Sequence, residues 1–280
     1  MLRIDKTNLV YSMSPHNIPV IKVQSGATVT FETVDAFGGQ VTTVNQPIRS
    51  LDWSRVNPAT GPLYVEGAEP GDTLKVEIIN IEVDAMGIMA AIPGAGLFAD
   101  KVVHPEIKLV HLENGYGIFS EQIKLPLKPM IGVIGVAPAG EAVPCGVPGK
   151  HGGNMDNARI TAGTTLYLPV FAPGALLAMG DLHAAMGDDE VMVTGVECGG
   201  KVTVLVDVIK GRQLSNPQHE DNDYFYTIAS HGDLLTAIRE AAADMQAIVV
   251  ANLGLSTNEA GMLMSACGNA QICQVVDPKL

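Results

Sequence analysis

Positive charge is scarce in this chain of 280 residues, where 17 lysines and arginines stand against 30 aspartates and glutamates and give a formal net charge of −13. Proteins that bind nucleic acid neutralise phosphates with Lys and Arg, so we expect no nucleic-acid partner. Long hydrophobic runs are also missing, and no stretch of about 18 uninterrupted apolar residues is available to span a membrane. The start, Met1 to Lys6, lacks the apolar core of a secretory signal. We therefore expect a soluble, cytoplasmic protein.

Cysteine is rare as well. The four cysteines form no C-x-x-C pair and no zinc-ribbon spacing, so the usual cysteine-based metal and redox motifs are excluded. In a cytoplasmic protein such residues stay reduced and pack as small apolar side chains. Cys145 precedes His151 by six residues, and a nucleophilic thiol there is kept as a minor alternative.

Strand patterns dominate the first two thirds of the chain. Residues 28–34 and 73–83 alternate with a period of two, as half-buried strands do. Such strands, separated by Gly and Pro turns, predict sheets packed on one another. Further strands are predicted at 130–136, 165–171, 191–196 and 202–209, with a short terminal strand at 271–276.

The last third of the chain changes to a helical pattern. From Leu234 the apolar residues recur at intervals of three and four, with Asp233 as N-cap and Gly254 beyond the end. Ser256 and Glu259 form a capping-box pattern that opens a second helix. The predicted fold class is α+β, with β-rich sheets packed on one another and a helical hairpin near the C-terminus. No internal repeat or low-complexity linker is present, so we expect a single domain over residues 1–280.

Two short stretches concentrate the candidate ligands. Residues 151–156 (HGGNMD) and 180–190 (GDLHAAMGDDE) hold two of the seven histidines and five carboxylates, in a chain that is only 17% charged. Glycine and apolar residues surround them, which favours burial. A buried carboxylate or imidazole is costly unless it is paired or bound to a metal. Metal-assisted or acid–base chemistry is therefore the leading hypothesis.

The spacing within these stretches suggests a metal site. Residues two apart on a strand share one face, so Asp181 and His183 can hold one divalent ion, or the carboxylate can orient the imidazole. The glycine-rich loop 149–157 can bring His151 and Asp156 against them. Asp156 also fits a simple turn residue, and a histidine in an apolar strand is often a core residue. Our predicted metal ligands are His151, Asp181 and His183.

Longer motifs carry a family resemblance. They are residues 57–72 (NPATGPLYVEGAEPGD), 151–156, 164–171 (TTLYLPVF) and 180–190, in this order, followed by the helical segment 256–265. The chain resembles the acetamidase/formamidase family over nearly its whole length. The family usually reads Gly-Asp-Gly-Glu where this chain has Gly187-Asp188-Asp189-Glu190. Asp189 therefore stands where glycine is usual, and it adds charge and removes backbone freedom.

The resemblance implies a function and partners. It implies hydrolysis of a short aliphatic amide, such as formamide or acetamide, to a carboxylic acid and ammonia. It also implies a bound divalent metal and a homo-oligomer. We expect zinc as the metal, with calcium as the alternative, and a homodimer or a higher homo-oligomer.

Amide hydrolysis assigns roles to particular residues. The reaction needs an activated water, a polarised carbonyl and a proton for the departing amine. A zinc-type ion lowers the pKa of its water towards ~7, and a carboxylate takes the proton. Glu190 is the predicted general base because of its longer reach, with Asp188 as the second catalytic candidate. Asn154, as a hydrogen-bond donor to the carbonyl oxygen, and Glu66 are the predicted substrate-binding residues.

Two other readings stay open. The same ligands suit hydrolysis of another C–N bond, in a cyclic amide or an N-formyl compound. The chain can also be a non-catalytic metal- or small-ligand-binding relative, a reading that Asp189 favours. No H-E-x-x-H, Walker or G-x-S-x-G motif is present to separate them.

Overall fold

The computed structural model describes residues 2–280 and is dominated by β-strands. Short 3₁₀ turns occupy Ile48–Ser50 and Trp53–Arg55. The strands are β1 (Leu2–Ile4), β2 (Leu9–Val10), β3 (Ser12–Met13), β4 (Ile21–Val23), β5 (Ala27–Thr33), β6 (Ala59–Val65), β7 (Thr73–Val83), β8 (Met86–Ala91), β9 (Glu106–Glu113), β10 (Tyr116–Ile118), β11 (Lys124–Pro126), β12 (Met130–Gly135), β13 (Val143–Pro144), β14 (Gly152–Asn154), β15 (Thr165–Pro169), β16 (Leu177–His183), β17 (Glu197–Cys198), β18 (Gly200–Ile209), β19 (Gln218–Glu220) and β20 (Phe225–Thr227), and the helices are α1 (Leu234–Leu253) and α2 (Thr257–Cys267).

The strands form two large sheets around a shared core. The smaller sheet has the order β1-β5-β18-β7-β15-β19-β20. The larger follows β11-β10-β9-β8-β17-β16-β12-β14, with β6 paired to β16 and with β2 and β4 paired to β6. Phe31 and Val204 of the first sheet belong to the same buried cluster as Ile131 and Leu177 of the second. The predicted α+β class, with sheets packed on one another, is confirmed.

Most predicted strands are confirmed, and two are wrong. The prediction at 73–83 coincides with β7, and those at 28–34, 130–136, 165–171 and 202–209 match β5, β12, β15 and β18 closely. Residues 191–196 instead form turns, with Val193 at a φ of 85°. Residues 271–276 make only an isolated bridge between Gln274 and Asp189. Apolar runs report burial, which a well-packed loop also provides, so they do not by themselves fix an extended backbone.

Strand β16 is irregular at the point where the candidate ligands lie. One edge pairs with β12, and the other pairs first with β6 and then with β17. Asp181 takes a φ of 53° between these two partners. Opposite it, Gly132 has no side chain, and a Cβ there would lie 2.5 Å from Asp156 Oδ1 and 3.0 Å from Asp181 Oδ2. The irregularity turns the Asp181 carboxylate, and Gly132 leaves space for two carboxylates to meet.

Helices α1 and α2 form the predicted hairpin, with both predicted caps. Asp233 Oδ2 accepts a hydrogen bond from Thr236 N at 2.8 Å, and Gly254 ends α1 with a φ of 65°. Ser256 and Glu259 complete the capping box of α2. None of the helices in residues 2–280 is long and apolar enough to cross a membrane.

Candidate active site

A cavity of about 170 Å³ opens beside the irregular part of β16. Its apolar wall comes from the loops between β5 and β6 and from the segment after β8. Its polar wall comes from β14, β16, β17 and the C-terminal end of the chain. The lining residues are Ala36, Phe37, Trp53, Val56, Asn57, Ile92, Asn154, Asp156, Asp181, His183, Glu190, Val193, Thr194, Glu197 and Asp277.

His183 lies at the centre of a buried carboxylate cluster. Its Nε2 lies 3.0 Å from Glu197 Oε2, 3.5 Å from Asp181 Oδ1 and 3.7 Å from Asp156 Oδ1. Its Nδ1 lies 3.1 Å from the sulfur of Met186. The four ionisable residues of this cluster are each at most 2% exposed. One imidazole therefore offsets several buried negative charges.

Burial and mutual repulsion shift the titration of this cluster. Burial lowers the pKa of His183, but the carboxylates of Glu197 and Asp181 outweigh it and raise that pKa well above its ordinary value. Burial raises the pKa of Asp156 well above its ordinary value, and it raises that of Glu197 to about 8. The Glu197 carboxyl can therefore hold or release a proton near neutral pH, as acid–base catalysis requires.

Glu190, in the segment that follows β16, also lines the cavity. Its Oε1 accepts a hydrogen bond from Gly195 N at 2.9 Å. One of its oxygens lies within 4.8 Å of ligand atoms of both Asp156 and His183. Burial, followed by the charge of Asp156, raises the pKa of Glu190 well above its ordinary value. The structure therefore places the predicted base in a position to reach the cluster.

Strained backbone is concentrated around the cavity. Nine non-glycine residues within the described range 2–280 have positive φ, and five of them line the cavity. Left-handed backbone costs a non-glycine residue roughly 1–2 kcal/mol, and it persists mainly where function or tight packing requires it. The five are Asn57, Asp156, Asp181, Glu190 and Val193.

The C-terminal tail, residues 273–280, supplies a further acidic group. Asp277 Oδ2 accepts a hydrogen bond from Asn154 Nδ2 at 2.8 Å. Burial, followed by the charge of Asp181, raises the pKa of Asp277 to about 7. Two backbone hydrogen bonds, Asp189 N to Cys273 O at 3.1 Å and Val275 N to Asp189 O at 3.0 Å, hold the tail against the segment that carries Glu190. The end of the chain is thus part of the cavity.

The donor set fits a divalent cation. Asp156 Oδ1, Asp181 Oδ1 and Glu197 Oε2 are buried and make no well-aligned hydrogen bond within residues 2–280. Two groups can each offer ligand atoms within 4.8 Å of one another: Asp156, His183 and Glu190, and Asp181, His183 and Glu197. Buried oxygens without partners are costly unless a proton or a cation compensates them.

Three predicted site residues lie outside this cluster. Asp188 is about half exposed and pairs with Arg159 at 3.0 Å. Left-handed backbone at Asp189 (φ 78°) and Glu190 (φ 46°) separates Asp188 from Glu190, and only Glu190 lines the cavity. Glu66 is exposed and hydrogen-bonded to Gln24. Neither Asp188 nor Glu66 lines the cavity.

His151 is the third of these residues. It is buried, but it is not among the cavity-lining residues. A Cβ on Gly153 would lie 3.0 Å from its Nε2, so the ring packs on the glycine backbone rather than on β16. Burial lowers the pKa of His151 to about 4. Asp181, His183, Glu190 and Asn154 are brought together as predicted, while Asp156 and Glu197 take the place expected for His151.

Glu197 and Asp277 line the cavity but were not among the predicted site residues. Glu197 directly follows the apolar run 191–196, a signal of burial that could have singled it out. Asp277, near the end of the chain, carries no local signal. Cys145 is buried and hydrogen-bonded to Val10 O, and burial raises the pKa of its thiol to about 12, which argues against a nucleophilic thiol.

The chain is similar to known proteins in sequence and in fold. The sequence profile of the acetamidase/formamidase family matches residues 6–143 and 139–277. The fold is similar to the crystal structure of an acetamidase from Bacillus halodurans, with a TM-score of 0.98, 46% identity, and coverage of 99% of this chain and 94% of that one. It is also similar to a protein described as a predicted acetamidase/formamidase from Thermoanaerobacter tengcongensis, with a TM-score of 0.97, 46% identity, and coverage of 99% and 92%.

Curated sequences show a more distant likeness. A formamidase from Methylophilus methylotrophus is 26% identical over 268 residues, which cover 72% of this chain and 65% of that protein. The chain spans only 61%, 65% and 56% of the three curated relatives that it matches.

Proposed function

The chain belongs to the acetamidase/formamidase family, and we propose that it is an amidohydrolase that converts short linear amides to carboxylic acid and ammonia. One observation carries the proposal: a small cavity is lined by a histidine that is surrounded by buried carboxylates, with Glu190 close to them. Burying such a cluster costs free energy, and clusters of this kind occur mainly at functional sites.

We further propose that the cluster holds one divalent cation, with zinc favoured over calcium. Zinc accepts mixed His and carboxylate ligands, whereas calcium prefers oxygen ligands alone. His183, Asp181, Asp156 and Glu197 would hold the ion, with Glu190 beside it. A divalent ion bound there would lower the pKa of a bound water and polarise the substrate carbonyl.

The residues of the chain supply the proton transfers. Glu190 is anchored through Oε1 to Gly195 N, so its other oxygen is free to take a proton from water and deliver it to the amide nitrogen. The apolar wall of Phe37, Trp53 and Ile92 would contact the acyl group of the substrate. The small volume of the cavity favours short substrates.

Ammonia release tests this function. The purified protein is incubated with formamide, acetamide and propionamide, with and without a chelator, and ammonia is measured. We expect release from at least one of them and its loss after chelation. Absence of release from all three by folded, zinc-loaded protein would contradict the proposal and favour a non-catalytic binding role.

We also propose a single domain that assembles into a homo-oligomer, most simply a C2 dimer, through the helical hairpin. Across residues 234–267 only Arg239, Glu240, Asp244 and Glu259 carry charge. Only Ala237 and Ala260 are buried within the two helices. An exposed helical face with so little charge is typical of an interface. Light scattering at micromolar concentration should give a mass above the 29.4 kDa of one chain.

A further inference from the structure

We propose that Asn154 accepts a hydrogen bond from the N–H group of the substrate amide, and that the C-terminal tail orients Asn154 for this purpose through Asp277. The site would thereby select amides with an unsubstituted nitrogen. The inference rests on the proposed function, since it specifies the substrate class of the same cavity.

The hydrogen bonds of Asn154 fix which end of its amide faces the cavity. The residue is only 3% exposed, and its Nδ2 donates to Asp277 Oδ2 at 2.8 Å. This hydrogen bond directs the NH₂ end of the Asn154 amide at Asp277, so the amide oxygen faces away from that carboxylate. That oxygen, Oδ1, has no hydrogen-bond partner within residues 2–280. Asn154 lines the cavity, so the unused acceptor is available to a ligand there.

A buried amide in the tail holds Asp277 in place. The Oε1 of Gln274 accepts hydrogen bonds from Val276 N and Asp277 N, both at 2.8 Å. Its Nε2 donates to Lys279 O at 2.6 Å, and the residue is 2% exposed. Asp277 therefore sits on a locked turn, and it acts as a positioning residue for Asn154.

The rest of the polar wall complements an amide nitrogen. Glu190, which lies beside the proposed ion, and Asn154 Oδ1 offer acceptor oxygens to a substrate in the cavity. An unsubstituted amide offers two N–H donors to such acceptors, an N-methyl amide offers one, and an N,N-dimethyl amide offers none.

The test compares acetamide, N-methylacetamide and N,N-dimethylacetamide at pH 8. Release of ammonia or amine gives kcat and KM for each amide. Saturation-transfer NMR measures the binding of the three amides and of acetate independently of hydrolysis. We expect wild type to prefer acetamide to N,N-dimethylacetamide by about tenfold or more, because the latter leaves a buried acceptor unpaired. Asn154→Leu should raise KM for acetamide by about tenfold and remove most of the preference. Asp277→Leu should act in the same direction, with kcat changing less than KM.

A matched pair elsewhere in the chain is the control. Asn216 is buried, and its Nδ2 donates to Asp244 Oδ2 at 2.8 Å, outside the cavity. Asn216→Leu should lower stability to a similar degree without changing the preference among the amides.

The outcomes separate this inference from the proposed function. Equal kcat/KM for the three amides in wild type would overturn the inference and leave amide hydrolysis standing. Selective binding of acetamide without any ammonia release would support the inference and contradict the function. A full preference retained by Asn154→Leu would also overturn it. If Asn154→Leu does not fold, Asp277→Leu provides the same test.

Discussion

The cavity and the helical hairpin depart in opposite directions from the usual partition of polar and apolar groups. Around His183 the protein buries carboxylates, which normally lie in water. On the hairpin it exposes large apolar side chains, including Leu253 at 60% and Met262 at 65%. Each departure costs free energy in an isolated chain, so each marks a place where something else is expected to bind. We propose a cation and a small polar substrate for the buried charge, and a second protein surface for the exposed apolar face.

The largest expected effect follows from replacing Glu190, the proposed general base in the cavity. Glu190→Gln should lower kcat by roughly 10²-fold or more, because the amide keeps an acceptor for Gly195 N but cannot take a proton. The measurements are ammonia release at saturating amide and the bound metal, which should persist. Near-normal turnover in the folded variant would remove Glu190 from the mechanism. A large fall in melting temperature would instead assign it a structural role.

The next prediction concerns the contribution to stability of His219, a buried histidine that does not line the cavity. His219 is fully buried, and burial lowers its pKa from 6.5 to about 4, opposed by the charge of Asp221. As pH falls below 6.5 the unfolded chain takes the proton first, so this contribution to stability is full above pH 6.5 and is lost as pH approaches 4. The loss is roughly 3 kcal/mol in total.

Denaturant unfolding of wild type and His219→Leu across pH 4–7 checks this expectation. The variant should show a shallower loss of stability over that range. The exposed His111 provides the control, and His111→Gln should leave the slope unchanged. Identical slopes for wild type and His219→Leu would contradict the expectation.

Introducing charge on the helical hairpin tests whether its exposed apolar face is an interface. Leu253→Asp combined with Met262→Asp should weaken self-association by about tenfold or more, since each places a charge in an apolar interface. Both side chains are exposed in the single chain, so the fold should persist. Sedimentation or light scattering over a concentration series gives the result. Ile18→Asp, at another exposed apolar residue, is the control. An unchanged mass for the double variant would place the interface elsewhere.

The smallest expected effect concerns Asp189, where the family usually has glycine. Asp189 has a φ of 78°, a region that glycine enters without strain. Asp189→Gly should change stability by less than about 1 kcal/mol, because strain relief and the added entropy of the unfolded chain oppose each other. Its backbone bonds to the tail remain, so ammonia release should change little. A large gain in turnover would show that Asp189 restrains the site.

The sequence predicted the sheets and the hairpin well and the site only in part. Periodicity located β7 and α1 because their burial repeats regularly along the chain. Asp181 and His183 were recognisable because both lie on one strand. The structure places His151 outside the cavity lining and against Gly153, and the path of that loop depends on contacts that no local pattern encodes. Asp277 reaches the cavity through long-range tail contacts, which sequence spacing does not show.

Titration of zinc into chelator-treated protein, with ammonia release followed at each step, tests whether the buried cluster is a catalytic metal site. We expect turnover of a short amide to be negligible without metal, to rise in proportion to added zinc and to level off near one ion per chain. His183→Ala should neither bind zinc nor respond to it. Full turnover by the metal-free protein, or zinc binding that His183→Ala leaves intact, would contradict the assignment of the buried cluster as the catalytic metal site.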